Sequence, residues 1–343
     1  LLFDPRSPIR WLVDNSLPRK QDVGPLVEIV GGDRLPGRVV GFRSGLESEG
    51  PRVPPHLVVA PSQSLDLPYG PSRKELKVPI RWVRRIVWHQ AAEHYEPGTL
   101  YLRDGGRLPF RSLRPGRTGV LFLLADGTRE IALNELAEVH LPAADPWESY
   151  FAELALLAPD GRARLMQLET AEGLRVTAST ERFQLRARPM ARTADKQYHV
   201  VHPAWCLQAL YLREQEIRLR CYFLPGEVPL SRIAPATQRQ KSDLGGAWPA
   251  RVDRNVEGGP LTSGLRQYAW GWGVHALSEL EVALPDCARG FRTHLGLDRL
   301  AGDGGCVAAS VLLAANPGKP LYTSPIIIGS ADVLLSLIHI SEP

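Results

Sequence analysis

Apolar and polar residues alternate with a period of two along most of this 343-residue chain. The alternation is clearest in the segments "GLRVTAST" (173–180) and "LYLREQEIRLRCYFL" (210–224). A period of two places every second side chain on the same side of a β-strand, so that one face can be buried. Because such segments are short and are separated by glycine, proline and aspartate, the pattern predicts an all-β chain with few helices.

Two segments of the N-terminal half repeat each other. "VEIVGGDRLPGRVV" (27–40) aligns without a gap with "LYLRDGGRLPFRSL" (100–113), and "VPIRWVRRIVW" (78–88) matches "IALNELAEVHL" (131–141) at its apolar positions. Each copy predicts a strand, a hairpin and further strands, the last of which closes the unit. Since closure removes exposed sheet edges, we expect two small barrel-like modules. A weaker third copy of the same pattern follows at 154–180.

The changes of pattern along the chain predict five segments. They are a first β-repeat (1–92), a second β-repeat (93–150), a β-rich middle domain (151–224), a C-terminal sandwich (225–334) and a non-native tail (335–343). The second boundary carries a helix start signal, because Asp145 is a favourable N-cap and Pro146 suits the first helical position. The tail resembles the read-through of a sequencing adapter and the chain begins with leucine, so we expect a fragment of a longer protein.

The predicted sandwich has the most regular alternation. Its expected inward-facing positions form three sets, which are Leu280, Val282 and Leu284; Phe291, Thr293, Leu295 and Leu297; and Val307, Ala309, Val311 and Leu313. Strands of this kind, separated by turns that contain aspartate and glycine, predict two packed sheets with one buried core.

Four linked motifs in the same region resemble a known family. "GWGVHALSELEVALP" (271–285), "GFRTHLGLD" (290–298), "GDGGCVAASVLL" (302–313) and "GKPLYTS" (318–324) are similar to the NPCBM family of carbohydrate-binding modules, over about 222–334. The residues that match in order are Gly271, Gly273, His275, Ala276, Ser278, Gly296, Asp298, Gly318, Lys319, Leu321, Tyr322 and Ser324. The chain departs from the family pattern at Asn316-Pro317, where the family carries an aspartate, and after Ser330, where the tail replaces the final strands.

The resemblance implies a galactose-binding-like jelly-roll sandwich that recognises a galactose-like hexose or a glycan. It also implies an exported multidomain protein of the planctomycete type. The candidate carbohydrate-binding residues are Trp270, Trp272, His275, Asp298 and Tyr322. Indole rings stack on the apolar face of a pyranose while neighbouring polar groups bind its hydroxyls.

Each of these candidates also has a structural interpretation. Trp270 and Trp272 can fill one end of the sandwich, because tryptophan is mostly buried on average. His275 and Asp298 can form a hydrogen-bonded pair that organises the strand turn. The sequence leaves both alternatives open.

The four cysteines allow two local disulfides. Cys206 and Cys221 bracket the 210–220 segment, and Cys287 and Cys306 flank the 291–297 strand. There is no Cys-x-x-Cys pair, so a zinc site is not predicted. An even number of cysteines with local partners favours disulfides in an extracytoplasmic compartment, and the alternative is four buried thiols in a reducing cell.

Charge and motifs exclude several function classes. The net charge is +4, but the arginines are dispersed, whereas nucleic-acid-binding proteins cluster them on one face. The chain contains no run of about 18 apolar residues that would span a membrane. It contains no nucleophile elbow, phosphate loop or zinc-protease helix. Asp303 alone cannot supply the six or so oxygen ligands of calcium, so no metal site is assigned, although a structural calcium ion elsewhere in the sandwich stays open.

The sequence therefore predicts a non-catalytic, exported all-β protein whose C-terminal sandwich binds carbohydrate and whose N-terminal β-repeats are spacer or interaction modules. Single-site affinity is expected to be weak, so that neighbouring domains would add avidity. The alternatives are a scaffold without sugar binding and an accessory region of a larger secreted glycoside hydrolase.

Overall fold

The computed structural model describes residues 9–18, 24–45, 53–65, 74–92, 95–142, 145–159, 161, 164–180, 183–187, 197–241, 248–330 and 334–339. The chain divides into two compact units, Leu1–Glu227 and Val228–Pro343. Almost every regular element in both units is a β-strand, so the predicted all-β class is confirmed.

The first unit contains one helix and eighteen strands among the described residues. The helix is α1 (Pro146–Leu157), and the strands are β1 (Trp11–Val13), β2 (Leu26–Ile29), β3 (Arg34–Arg43), β4 (His56–Pro61), β5 (Leu76–Pro79), β6 (Val83–Val87), β7 (Thr99–Leu102), β8 (Arg107–Pro109), β9 (Ser112–Pro115), β10 (Gly119–Leu124), β11 (Gly127–Ala132), β12 (Leu136–His140), β13 (Leu165–Thr170), β14 (Arg175–Ser179), β15 (Phe183–Ala187), β16 (Gln197–Val201), β17 (Leu210–Arg213) and β18 (Ile217–Phe223).

Three groups of strands in this unit share one order of pairing. We call them meander A (β2–β6), meander B (β7–β12) and meander C (β13–β18). In each group the first strand lies between the last strand and the second strand. This gives the orders β6–β2–β3, β12–β7–β8 and β18–β13–β14. The other strands pair in chain order, as in β3–β4–β5, β9–β10–β11 and β15–β16–β17. All of these pairs are antiparallel, as expected for strands joined by short turns.

The meanders are joined edge to edge. Strand β6 of meander A pairs with β12 of meander B, and β3 pairs with β14 of meander C at Arg34 and Arg175. With β1 added beside β18, twelve of the described strands form one sheet, and β9–β11 and β15–β17 form two further three-stranded sheets, so the strands do not close into barrels. The predicted boundaries at 92/93 and 150/151 lie within this one compact unit, and the division into separate domains stays a prediction.

A buried aspartate connects meanders A and C. The Asp33 side chain accepts hydrogen bonds from the Thr177 amide at 2.7 Å, the Thr177 hydroxyl at 2.7 Å and Trp205 Nε1 at 2.8 Å. Burial of a carboxylate is tolerated only when its oxygens are paired in this way. Asp33 therefore stabilises the contact between the two meanders.

A buried glutamate holds meanders A and B together. Glu138 Oε2 accepts from Arg85 Nη2 at 2.6 Å and lies 2.7 Å from His140 Nε2, and Oε1 accepts from the Ala91 amide at 2.6 Å. The Glu96 amide donates to His140 Nδ1, so His140 is protonated at Nε2 and donates to the carboxylate. Through the amides of Ala91 and Glu96, this network attaches the segment that connects the two meanders to strand β12.

Helix α1 begins where the sequence predicts it. The Asp145 side chain accepts a hydrogen bond from the Trp147 amide at 2.9 Å, and Pro146 occupies the first turn. Trp147, Tyr150 and Leu157 are buried, so the helix packs one face against the first unit.

The disulfide prediction is corrected by the structure, because none of the four cysteines forms a disulfide. Cys221 lies in the middle of β18, where its register partners are Trp11 and Gln167 on the two neighbouring strands. Cys206 Sγ lies 3.5 Å from Gln208 Oε1. Cys287 and Cys306 are exposed.

The second unit consists of short strands. They are β19 (Thr237–Gln240), β20 (Arg251–Val252), β21 (Leu261–Ser263), β22 (Arg266–Tyr268), β23 (Trp272–Gly273), β24 (Ser278–Glu281), β25 (Gly290–Leu295), β26 (Cys306–Val307), β27 (Ser310–Val311), β28 (Tyr322–Thr323), β29 (Ile327–Ile328) and β30 (Leu334–His339).

These strands form two nested sets. β21–β22 lies inside β20–β23, which lies inside β19–β24, and β27–β28, β26–β29 and β25–β30 are nested in the same way. Each set is a long antiparallel hairpin interrupted by bends, an arrangement suited to a jelly-roll sandwich. In β25 the side chains of Phe291, Thr293 and Leu295 are more buried than their neighbours, as the alternation predicts. Strand β30, which pairs with β25, falls largely in the segment expected to be a non-native tail.

Candidate functional site

The turn that carries Trp270 and Trp272 is built around two glycines. Gly271 has a φ of 142°, and its N–H donates to Asp253 Oδ1 at 3.1 Å. At Gly273 a Cβ atom would lie 2.1 Å from the carbonyl oxygen of Arg254. The backbone conformation and the close approach therefore require glycine at both positions.

The two tryptophans occupy an intermediate environment. Trp270 precedes the turn, and Trp272 lies in β23 opposite Val252 of β20. Both residues are half-buried. Each indole therefore has neither the full burial of a core residue nor the full exposure of an isolated surface residue.

His275 follows this turn and contacts an aromatic residue that the sequence analysis did not identify. Its imidazole lies nearly parallel to the indole of Trp248, with ring centroids 5.6 Å apart and an interplanar angle of 18°. Trp248 is 38% exposed, whereas His275 is half-buried. The Trp248–His275 pair is thus a flat aromatic surface that is open to solvent.

The tautomer of His275 follows from its neighbour. Nδ1 lies 2.6 Å from the Ala276 carbonyl oxygen, which can only accept a hydrogen bond. Nδ1 therefore carries the proton, and Nε2 of the neutral ring is an acceptor. This leaves an acceptor nitrogen on the ring that stacks against Trp248.

The β19–β24 pair positions both rings. Gln240 lies opposite Ser278 in this pair, and its Oε1 accepts a hydrogen bond from the Trp248 amide at 2.8 Å. The Ser278 hydroxyl donates to the His275 carbonyl. Gln240 Nε2 is buried and has no hydrogen-bond partner in the described part of the chain. Buried donors are rarely left unpaired, so this amide nitrogen can take a further hydrogen-bond acceptor.

Asp298 connects two segments of the second unit through its carboxylate. Its Oδ1 accepts from the Leu300 amide at 2.9 Å and caps a 3-10 helix that spans Arg299–Ala301. Its Oδ2 lies 3.4 Å from both Asn255 Nδ2 and Thr262 Oγ1. The carboxylate therefore ties the 254–262 loop to the start of the 3-10 helix.

The same loop links Asp298 to the tryptophan turn. Asp253, directly before this loop, accepts the Gly271 N–H, and Asn255, two residues later, donates to Asp298. Tyr322, by contrast, lies in β28 opposite Val311, in the second nested set of strands. His275, Asp298 and Tyr322 thus belong to three different parts of the second unit, and the contact partner of His275 is Trp248.

A second polar cluster lies on β22 and β25. The rings of Tyr268 and His294 are 5.6 Å apart, with an interplanar angle of 50°. Burial lowers the pKa of His294 below its ordinary value, and the positive charges of Arg266 and Arg292 lower it further. Burial raises the pKa of Tyr268.

Sequence reasoning missed Trp248, Gln240 and Asn255. A weak signal for Trp248 was present, because the tryptophan is followed by proline after a glycine-rich stretch, in "GGAWP" (245–249). Such a composition indicates a loop, where a tryptophan has fewer neighbours to cover it. The roles of Gln240 and Asn255 depend on strand pairing and loop contacts that no local pattern shows.

Within the described ranges, no group of three or more histidine, cysteine, aspartate or glutamate side chains could hold a metal ion. Asp303 lies in the turn after the 3-10 helix. A structural calcium ion in the sandwich stays a prediction. Across the same ranges, the structure shows no helix of the length and apolar character needed to cross a bilayer.

These observations define an all-β protein whose second unit is built from nested antiparallel hairpins and carries an exposed aromatic pair. Residues 226–337 match the family described as the NPCBM/NEW2 domain. The resemblance found in the sequence over about 222–334 is thereby confirmed. The match covers the second unit and leaves the three meanders outside it.

Two solved structures are similar to part of the chain. One is the structure of CBM51-2 in complex with GlcNAc and INT domains from Clostridium perfringens ZmpB, and the other is the structure of CBM51-2 and INT domains from the same protein. Both are 14% identical, have a TM-score of 0.30 and cover 48% of this chain. The matches cover 36% and 35% of those structures, or about a third of their length. A search of curated proteins gave no match.

Proposed function

We propose that the second unit is a non-catalytic carbohydrate-binding module and that the Trp248–His275 pair is the centre of its binding surface. The NPCBM/NEW2 match over residues 226–337 supports the class of ligand. The single observation that carries the location is the parallel stack of a 38% exposed indole on an imidazole.

The pair offers two kinds of interaction that a sugar needs. The indole of Trp248 provides an apolar surface for the C–H groups of a pyranose ring. Polar groups at its edge, which are the acceptor His275 Nε2 and the donor Gln240 Nε2, bind hydroxyl groups. A shallow surface with few polar contacts gives weak single-site binding, and several modules or sites would raise the avidity.

The residues identified in the sequence have supporting roles in this proposal. Trp270 and Trp272 extend the aromatic surface from the neighbouring turn, and Asp298 holds the 254–262 loop that supports this turn. Tyr322 belongs to a second part of the surface. The expected ligand is a galactose-like hexose or a glycan that contains one.

The first unit has a different role in this proposal. A twelve-stranded sheet joins its three meanders, and the buried Asp33 and Glu138 networks stabilise the contacts between them. We expect a spacer or interaction module that presents the carbohydrate-binding unit outside the cytoplasm. No catalytic step is assigned to the chain.

A glycan array with the full chain tests the proposal. The array includes galactose-terminated and GlcNAc-terminated glycans, and the variants are Trp248→Ala and His275→Ala. Phe151→Ala is the matched control, because Phe151 is 39% exposed and lies in the first unit. We expect Trp248→Ala to lower the affinity about tenfold or more, because a stacking contact and its buried apolar area are lost.

Thermal unfolding establishes that each variant is folded. Binding that survives in folded Trp248→Ala would move the sugar site away from this pair. A folded wild-type chain that binds no glycan would contradict the carbohydrate-binding function and favour a scaffold role.

A further inference from the structure

Four side chains from two strands form a second surface on the carbohydrate-binding unit. Arg266 and Tyr268 occupy alternate positions of β22, and Arg292 and His294 occupy alternate positions of β25. Alternate residues of a strand lie on the same face. The Tyr268 and His294 rings, 5.6 Å apart, bring these two faces together.

The two arginines both lower the pKa of the His294 imidazole. Besides burial, the charges of Arg266 and Arg292 both disfavour the protonated form of His294. Arg266 and Arg292 are exposed, and neither forms an ion pair with a carboxylate of the described residues. Like charges held close together without a counter-ion repel each other, so an anion at this surface would be bound favourably.

A buried hydroxyl adds a third kind of group to the surface. Ser263 lies directly opposite Arg266 in the β21–β22 pair, and directly opposite residues share a face of the sheet. Ser263 is only 5% exposed, and its hydroxyl has no hydrogen-bond partner among the residues that the structure describes. An unpaired buried hydroxyl beside two arginines is a donor that a ligand oxygen could satisfy.

We infer that the β22–β25 surface, made of Ser263, Arg266, Tyr268, Arg292 and His294, binds the anionic group of an acidic carbohydrate. Guanidinium groups match the paired oxygens of a carboxylate or a sulfate, and Tyr268 supplies an aromatic face for the sugar ring that carries it. The inference rests on the proposed function, because it takes the ligand to be a glycan, and it adds a charge requirement to that ligand.

Three polymers distinguish the sources of the negative charge. The full chain is titrated with dextran, which is neutral, with dextran sulfate, which carries sulfate, and with polygalacturonate, which carries carboxylate. The variants are Arg266→Gln, Arg292→Gln and the double variant. Arg239→Gln is the matched control, because Arg239 is an exposed strand arginine whose charge is already faced by Glu279 at 4.0 Å.

We expect at least one acidic polymer to bind more tightly than dextran. We expect each single variant to lower that affinity about tenfold, since a hydrogen bond to a charged group is lost. Arg239→Gln should bind as the wild type does. Whether dextran sulfate or polygalacturonate binds identifies the anionic group.

The outcomes separate this inference from the proposed function. If the glycan array shows binding but acidic polymers bind no better than dextran, the inference is wrong and the carbohydrate-binding function stands. Equal losses in Arg239→Gln and the double variant would also overturn it, because the binding would then depend on net charge alone. If no neutral or acidic glycan binds to the folded chain, both proposals fail.

Discussion

The imidazole of His275 lies nearly parallel to the indole of Trp248, with 5.6 Å between the ring centroids. The two residues are 27 positions apart in the chain, and the antiparallel β19–β24 pair brings them together. In this arrangement a histidine from a family motif and a tryptophan from a loop form one aromatic surface. It is the basis of the proposed carbohydrate site.

The first prediction concerns the histidine of this pair. His275→Ala should lower glycan affinity about threefold to tenfold, because an aromatic contact of about 0.5–1.5 kcal/mol and one acceptor are lost. Stability should change little, since substitutions of this kind at the surface stay within about 0.5 kcal/mol. Titration calorimetry and thermal unfolding measure the two effects. An unchanged affinity would exclude the imidazole from the site.

The second prediction concerns the close approach at Gly273. Gly273→Ala should destabilise the second unit by about 1–3 kcal/mol, because its Cβ would lie 2.1 Å from the Arg254 carbonyl oxygen. Gly318→Ala is the control, since a Cβ at Gly318 meets no atom within 4 Å. Denaturant unfolding measures both variants. Equal stabilities would mean that the Arg254 carbonyl moves away at little cost.

The third prediction concerns acid stability of the first unit. Burial raises the pKa of Glu138, but the hydrogen bonds from His140 and Ala91 and the charge of Arg85 bring it below 4.5. A carboxyl with a lowered folded-state pKa stabilises the protein above the unfolded value, and this stabilisation is lost as the pH falls through the folded-state pKa. We therefore expect unfolding of the first unit to become easier below about pH 4.5.

Glu138→Gln tests this assignment. The variant should lose about 3–5 kcal/mol at neutral pH, because the Arg85 charge stays buried without its partner. The pH dependence of its unfolding should be smaller than in the wild type. Exposed Glu135→Gln serves as the control. A Glu138→Gln chain with wild-type stability at pH 7 would show that the network contributes nothing.

The fourth prediction concerns His294. Its pKa, followed by NMR, should lie below 6.5, because burial and the two arginine charges disfavour the protonated ring. Arg266→Gln should raise this pKa, whereas Arg239→Gln should leave it unchanged. Saturation with a bound acidic polymer should also raise it, because a negative charge favours the imidazolium. A His294 pKa above 6.5 in the free chain would contradict the arrangement of the two arginines.

The fifth prediction concerns the cysteines. All four should react as thiols in the denatured, unreduced chain, and in the folded chain the exposed Cys287 and Cys306 should react before the buried Cys206 and Cys221. A thiol count on the purified protein measures this. A count of two or zero would restore one or both of the disulfides expected from the sequence.

The local patterns of the sequence predicted local structure well. Alternation identified β25 and its half-buried residues Phe291, Thr293 and Leu295. The sequence Asp145-Pro146 predicted the start of the helix. For the strand and the helix start, the cause and the effect lie within a few residues of each other, so the chain itself carries the information.

The tertiary structure decided which distant residues became neighbours. A period of two shows which side of a strand is buried but not which strand lies beside it. For this reason the strands expected to form barrels pair in one twelve-stranded sheet and two three-stranded sheets, and Cys206 and Cys221 form no disulfide. The sequence by itself determined the strand class, the helix start and the family resemblance. Only strand pairing over long distances placed Trp248 against His275 and Tyr268 against His294, because those contacts depend on the register of separate strands.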